Sequence, residues 1–166
     1  MPAVRFSLEP QGAPVYTVTF AAATRFDTID LAVSLRALRE VWAGKPGGAA
    51  PAVVTAPATG VTGTVSATAP LTAAVPYTQV AVLSDTLPAL GVLLGEPGPE
   101  VRGYDTMEEV IAAAWDGRGT LALVPFDQLE PRLAVLALDG QNPLDNAAFY
   151  DAARYPLIAD VYAQVD

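Results

Sequence analysis

The chain has 166 residues, a net charge of -9 and neither cysteine nor histidine, and these properties exclude several classes of function. The length fits one ordinary domain, and 52% hydrophobic against 16% charged residues indicates a folded globular body. A negative chain repels phosphate backbones and anionic membrane surfaces, so nucleic-acid binding is not expected. Without Cys or His, the chain cannot supply a thiolate nucleophile, an imidazole base, a zinc-finger site or a Ser-His-Asp triad.

Residues 46–84 form an uncharged stretch of 39 residues that is long enough to suggest a membrane span. Five Pro, four Gly and seven Thr lie in it, and prolines would break a spanning helix repeatedly. We therefore expect no membrane insertion, and interpret 46–78 as a segment of short strands and turns, with one Thr-rich strand at Val61–Ser66. No signal peptide is visible in Met1–Pro10, which carries two charges.

The first half of the chain predicts two strands and two helices. The run VYTVTF predicts a strand over Val15–Phe20. Ser34 stands before apolar residues at helical spacing, so a helix is expected to begin there and to end at Gly44. QVAVL predicts a buried strand over Gln79–Leu83, and the following Ser84-Asp85 pair predicts the N-cap of a helix that ends near Gly95.

The second half continues the alternation of strands and helices. After a short strand at Val101–Tyr104, Asp105 or Thr106 is expected to cap a helix through MEEVIAAAW, whose first turn carries Glu108 and Glu109. Three more strands are predicted, at Thr120–Phe126, Leu133–Leu138 and Leu157–Val161. This order predicts an α/β fold with a doubly wound, mostly parallel sheet and helices on both faces.

Two motifs resemble the second lobe of the phosphate-type periplasmic solute-binding proteins of ABC transporters. Residues 34–44 are similar to that family's short helix, which begins with Ser or Thr and Leu and ends in Gly. The run GTLALVPFDQLEPRLAVLALDGQNPL, followed by ARYPLIADVYA, resembles the family's carboxyl-terminal pattern. The segments VPFDQLEPR and VSLRALREVWAG resemble still more closely the solute-binding-like region of capsule-type poly-gamma-glutamate synthesis proteins, which precedes a metallophosphatase-like domain.

The resemblance implies that residues 1–166 form a single lobe of the type 2 periplasmic-binding-protein fold, without catalytic activity. It further implies an exported, cell-envelope parent protein that supplies a partner lobe or a downstream catalytic domain. In the phosphate-binding family, the strand that matches Gln79–Leu83 leads into a Gly-Ser-Gly-Thr type loop that cradles an anion. Here the loop is SDTLPAL, where Asp85 adds a negative charge and no glycine permits close approach, so phosphate binding is not expected.

The expected binding site lies at the carboxyl ends of neighbouring strands, where an α/β sheet presents its ligand-binding edge. It comprises Ser84, Asp85, Thr86, Phe126 and Asp127. Because Asp85 opposes anions, the expected ligand is a neutral or amine-bearing small polar solute, a polymer unit or a protein partner. The alternative is that Ser84 or Asp85 merely caps its helix.

Other charged and aromatic residues could bind a ligand, but each also has a structural interpretation. Asp127 with Glu130 is the best carboxylate pair for acid-base chemistry, but a turn and solvation explain it. Arg132 and Arg102 would clamp a carboxylate or form surface ion pairs. Trp42 and Trp115 lie at helical spacing among apolar residues, which favours positions in the core.

Two other functions remain open from the sequence. One is an interaction or scaffold domain that kept the fold and lost its ligand, and the other is a fragment of an enzyme. We expect no cofactor and no tightly bound metal, because His and Cys are missing and no acidic cluster has calcium-loop spacing.

Overall fold

A computed structural model describes residues 4–10, 13–29, 31–45, 77–145 and 150–165, and it shows three helices and nine strands there. In chain order, they are β1 (Val4–Ser7), β2 (Tyr16–Arg25), β3 (Ala32–Val33), α1 (Leu35–Trp42), β4 (Gln79–Leu83), α2 (Leu87–Leu94), β5 (Val101–Tyr104), α3 (Met107–Asp116), β6 (Thr120–Pro125), β7 (Leu133–Val135), β8 (Ala137–Leu138) and β9 (Ile158–Val165). The strand predicted at Val61–Ser66 lies outside the described residues. Within these ranges, no helix is long and apolar enough to cross a lipid bilayer.

Seven strands form one sheet in the order β1-β9-β2-β6-β4-β5, and β7 pairs with β2 beside this path. Strand β4 is parallel to both β5 and β6, whereas β2 is antiparallel to β6, β7 and β9, and β1 is antiparallel to β9. Five strands therefore run in one direction, and only β1 and β2 run in the other. The predicted α/β class with a mostly parallel sheet is confirmed. A separate small sheet joins β3 to β8.

Helices cover both faces of the sheet, because successive strand residues point to opposite sides. Along β2, Phe20 and Ala22 face the layer of α1 and α2, while Ala21 and Ala23 face α3. All six residues of β6 are buried, as expected for a strand that is covered on both faces. The predicted two-sided arrangement is therefore confirmed.

Helix α1 begins and ends as its sequence predicts. The Ser34 side-chain oxygen accepts a hydrogen bond from the backbone N–H of Ala37 at 3.1 Å, which satisfies an otherwise unpaired donor at the helix start. Leu38, Val41 and Trp42 are buried on its inner face. Just after the helix, Gly44 adopts a φ of +69°, a left-handed conformation that glycine tolerates without strain.

The predicted N-cap of α2 is wrong. Residues Ser84–Thr86 form a short 3-10 turn, the α-helix begins only at Leu87, and no side chain caps it. The Ser84 hydroxyl instead donates to a carboxylate oxygen of Asp105 at 3.2 Å, and the Thr86 hydroxyl donates to the Leu83 carbonyl at 2.8 Å. Both hydroxyl groups are thus turned to other partners, and Asp85 is exposed to solvent.

Helix α3 begins with a reciprocal cap that the sequence placed at either Asp105 or Thr106. The Thr106 hydroxyl oxygen accepts from the Glu109 N–H at 3.3 Å, and the Glu109 carboxylate accepts from the Thr106 N–H at 3.1 Å. We expect Thr106→Ala to lower the free energy of unfolding by about 1 kcal/mol, because the Glu109 N–H loses its acceptor at the helix start. Urea denaturation would measure the change.

The matched control for this prediction is Glu109→Gln, since glutamine also completes a capping box. It should reduce stability by less than Thr106→Ala does. Equal stability of Thr106→Ala and the unmodified chain would contradict the role of the cap.

Candidate functional site

The three parallel strands deliver their carboxyl ends to one edge of the sheet. Val82 of β4 lies in register with Gly103 of β5 and Leu123 of β6. The residues that follow these strands therefore meet at this edge, as expected for parallel strands. We call this region the carboxyl edge and define it by the residues directly after the three strands, namely Ser84, Asp85, Thr86, Asp105, Phe126 and Asp127. It contains all five residues of the predicted site, with Asp105 in addition.

The hydroxyl groups of Ser84 and Thr86 at the carboxyl edge already donate hydrogen bonds to other protein groups. In the 3.2 Å contact between Ser84 and Asp105, the Ser84 hydroxyl donates and a side-chain oxygen of Asp105 accepts. Thr86 is buried and donates to the Leu83 carbonyl. Gly103 makes room for this arrangement, since an added Cβ there would lie 3.1 Å from the Ser84 oxygen. Toward an incoming ligand, the Ser84 oxygen therefore acts as an acceptor.

Carboxylates and one aromatic ring complete the carboxyl edge. Asp85, Asp105 and Asp127 are all exposed, so each can accept hydrogen bonds from solvent or a ligand. Phe126 and Asp127 belong to a 3-10 turn after β6, and Phe126 is 37% exposed. The side chains of this edge thus present negative charge, acceptor atoms and a partly exposed aromatic residue.

Arg132 forms a surface ion pair, the second of its two predicted roles. Its guanidinium donates to both oxygens of Glu108, at 2.8 and 2.6 Å, and to Glu130 at 2.8 Å. Glu130 is therefore held in an ion pair and not simply solvated, and no side chain caps the turn that contains Asp127, so both parts of the predicted explanation for this pair are wrong. Arg102 is exposed and has no ion pair within the described residues.

The Arg132 contact lowers the pKa of the Glu108 carboxyl below its ordinary value, mainly through the hydrogen bonds that it donates. Since the folded-state pKa is depressed, the pair contributes to stability above the ordinary pKa of Glu and loses that contribution as the pH falls. We expect Arg132→Gln to return the Glu108 pKa toward its ordinary value. A carboxyl carbon NMR titration would measure it.

Arg154→Gln is the control for this titration, because Arg154 pairs with Asp151 in another part of the chain. It should leave the Glu108 titration unchanged. An unaltered Glu108 pKa in Arg132→Gln would show that the ion pair does not persist in solution.

The two tryptophans differ in position. Trp42 is fully buried, as predicted, and its indole N–H donates to the Gly95 carbonyl at 2.8 Å. The core position predicted for Trp115 is wrong, because its side chain is 40% exposed and Arg25 lies over its ring at 5.0 Å from the centroid. Trp115 lies near the end of α3, where its ring packs against the Arg25 guanidinium and not against the hydrophobic core.

Comparison with known proteins identifies the fold. No protein-family model and no curated protein matches the sequence. Solved structures do match, and the first is an ABC-type phosphate transport receptor from Vibrio cholerae, with a TM-score of 0.64 and 7% identity over 96% of this chain. The fold is that of a periplasmic-binding-protein lobe.

Two further structures support this result. A substrate-binding protein of the phosphate ABC transporter class from Clostridium perfringens, with bound phosphate, has a TM-score of 0.59 and 11% identity over 98% of this chain. A protein from Planctomyces limnophilus described as a candidate phosphate-binding protein has a TM-score of 0.57 and 10% identity over 98% of this chain. The three matches cover 59%, 58% and 55% of those longer chains, so this chain spans little more than half their length.

These neighbours are named as transport receptors or binding proteins, and none is named as an enzyme. They confirm the predicted periplasmic-binding-protein-like fold, although identities of 7 to 11% carry no residue-by-residue correspondence. The resemblance to poly-gamma-glutamate synthesis proteins has no counterpart among them.

Proposed function

We propose that this chain is a non-enzymatic solute-binding domain that takes a small amine-bearing solute at its carboxyl edge. The fold supports a binding role, since its structural neighbours are binding proteins. The carboxyl edge supports the location, because loops and turns after parallel strands are where open α/β sheets place their ligands. The residues proposed to contact the solute are Ser84, Asp85, Phe126 and Asp127, and the buried Thr86 would shape the turn that carries Ser84 and Asp85.

The hydrogen bond from Ser84 to Asp105 is the observation that favours an amine over phosphate as the ligand. Phosphate is recognised by donors such as backbone N–H groups, hydroxyls, Arg and Lys. At this edge the Ser84 and Thr86 protons are held by protein acceptors, and the exposed carboxylates only accept. An ammonium group supplies the donors and the positive charge that these atoms lack.

The exposed ring of Phe126 favours the same class of ligand. A cation placed over an aromatic face gains about 0.5–1 kcal/mol at an exposed site. Asp127 follows Phe126 directly in the turn after β6, so an exposed carboxylate and an exposed aromatic residue belong to the same short turn. An amine-bearing solute can use both, whereas an anion is repelled by the carboxylate.

Binding at one lobe is expected to be weak, because a single open edge covers only one side of a small ligand. We therefore propose that the parent protein supplies a partner lobe or a downstream domain that closes over this edge. An extracytoplasmic location, a polymer unit as ligand and a link to poly-gamma-glutamate synthesis belong to the same proposal. Reading the complete gene would test them through its flanking segments.

The direct test of the site is amide NMR with three solutes at equal ionic strength: putrescine, inorganic phosphate and maltotriose. Putrescine should shift the amides of residues 84–86 and 126–127 in a saturable manner, and phosphate should not. Asp85→Asn combined with Asp127→Asn should weaken putrescine binding about tenfold, because each loses a charge-assisted hydrogen bond.

The matched control is Asp116→Asn, an equal loss of charge at the end of α3, which begins near the carboxyl edge and runs away from it. It should leave putrescine affinity within twofold. Tight phosphate binding at residues 84–86 would overturn the charge argument, and a lack of shifts there with every solute would favour an interaction domain that has lost its ligand.

A further inference from the structure

Three basic residues of this acidic chain lie close together on helix α1 and just after it. Arg36, Arg39 and Lys45 are three of only nine Lys and Arg residues, and they lie within ten consecutive positions. They border an open groove of about 450 Å³ beside α1, which no residue of the carboxyl edge lines. We call it the α1 groove, and its lining residues are Leu35, Arg36, Arg39, Glu40, Ala43, Lys45 and Asp139.

The two acidic residues of the α1 groove are already engaged. Glu40 accepts from the Arg36 guanidinium at 3.0 Å, one helical turn away. A carboxylate oxygen of Asp139 accepts from the Leu35 N–H at 3.2 Å, at the start of α1. A carboxylate at a helix start is stabilised by the helix dipole, so its charge is partly compensated there.

Two cations of the α1 groove remain available to a ligand. Arg39 and Lys45 are exposed, and neither forms an ion pair within the part of the chain that the structure describes. The local charge of the groove is therefore positive, opposite in sign to the chain as a whole. An anion that is repelled by most of the surface would be attracted here.

We propose that the α1 groove is a binding site for a small organic carboxylate. The Arg39 guanidinium has the planar fork that pairs with both oxygens of a carboxylate, and Lys45 adds a second charge. Leu35, Ala43 and the hydrocarbon stems of the basic side chains give the groove an apolar component, which suits an anion with a hydrocarbon body.

This site is separate from the proposed amine site in position and in sign of charge. The groove is lined by α1, the residues just after it and Asp139, and none of its lining residues belongs to the carboxyl edge. It therefore goes beyond the proposed function, and either site can be present without the other.

Lys45 is the only lysine of the chain, which makes the test specific. Reductive methylation with ¹³C-formaldehyde labels Lys45 and the terminal amine and keeps their positive charge. Sodium glutarate should shift the Lys45 methyl resonance in a saturable manner and leave the terminal resonance unchanged. Inorganic phosphate and neutral glutaramide, at matched ionic strength, should shift it at least tenfold less at equal concentration.

Arg39→Gln should weaken glutarate binding about tenfold, as expected for the loss of a charge-assisted pair. Arg118→Gln, which removes a cation outside the groove, should leave the affinity within twofold. No saturable Lys45 shift with glutarate would overturn the proposal, and so would equal shifts with phosphate that Arg39→Gln does not alter. A Lys45 shift that appears with rising protein concentration alone, together with a higher sedimentation coefficient, would instead assign the groove to a second copy of the chain.

Discussion

Trp42→Ala is expected to lower the free energy of unfolding by about 3–5 kcal/mol, the usual cost of truncating a large buried aromatic side chain. Trp42 is fully buried between α1 and the sheet, among residues such as Leu38 and Leu90. Its removal leaves a cavity and also takes the indole donor from the Gly95 carbonyl. Urea denaturation followed by circular dichroism would measure the loss.

Two variants separate the causes of this effect. Trp42→Phe keeps most of the ring volume and loses the hydrogen bond, so it should cost about 1–3 kcal/mol. Trp115→Ala removes an exposed tryptophan of the same size and should cost less than Trp42→Ala, because its burial is incomplete and its contact with Arg25 is worth about 1 kcal/mol. Equal losses for Trp42→Ala and Trp115→Ala would show that α1 does not pack on the sheet as described.

Elements set by local signals could be predicted from the sequence. Ser34, the apolar spacing of Leu38, Val41 and Trp42, and Gly44 define α1 without reference to any distant residue. The same holds for α3, where Thr106 and Glu109 form a cap within four consecutive residues. Capping and periodicity act over one or two helical turns, so they are visible in a short stretch of sequence.

Elements set by distant partners could not be predicted in full. Strand β2 continues to Arg25, five residues beyond the predicted end at Phe20. Alanine is a poor strand former, but the alanines at 21–23 pair with β6, and Ala23 also pairs with β7. Strands β1 and β3 were not predicted at all, and each is defined by pairing with a strand more than 100 residues away. In these segments, tertiary contacts outweigh local propensity in determining where a strand forms.

The position of the candidate site followed from the order of elements, but its hydrogen bonding did not. Parallel strands guarantee that Ser84 and Asp127 meet at one edge, whatever their side chains do. The partner of Ser84 is Asp105, which stands 21 residues further along the chain. Asp105 also directly follows a predicted strand, so its position indicates a site residue as much as the positions of Asp85 and Asp127 do.

The two proposed sites differ in the sign of their charge. The carboxyl edge carries Asp85, Asp105 and Asp127, whereas the α1 groove carries Arg39 and Lys45, which form no ion pair with any residue that the structure describes. A fold that its neighbours use as phosphate receptors thus has, in this chain, an acceptor-rich edge. Fold similarity alone does not transfer a ligand, because ligand choice depends on which donors and acceptors the site presents.

Gly98→Ala is expected to destabilise the fold by about 1–3 kcal/mol, because it forces a methyl group into a close contact between two backbone segments. A Cβ at Gly98 would lie 2.5 Å from the Ala43 carbonyl carbon and 2.5 Å from the Gly44 nitrogen. The Gly98 N–H also donates to the Trp42 carbonyl at 2.7 Å, so the two segments cannot separate without losing a hydrogen bond. Urea denaturation would give the change in the free energy of unfolding.

Gly91→Ala makes the same chemical change at a site where the surroundings are open. Gly91 lies inside α2, and an added Cβ there would contact nothing within 4 Å. Alanine restricts the unfolded chain and favours the helix, so this variant should gain about 0.5–1 kcal/mol. The two substitutions therefore have opposite expected signs, and a stabilising or neutral Gly98→Ala would contradict the close contact between the end of α1 and the loop before β5.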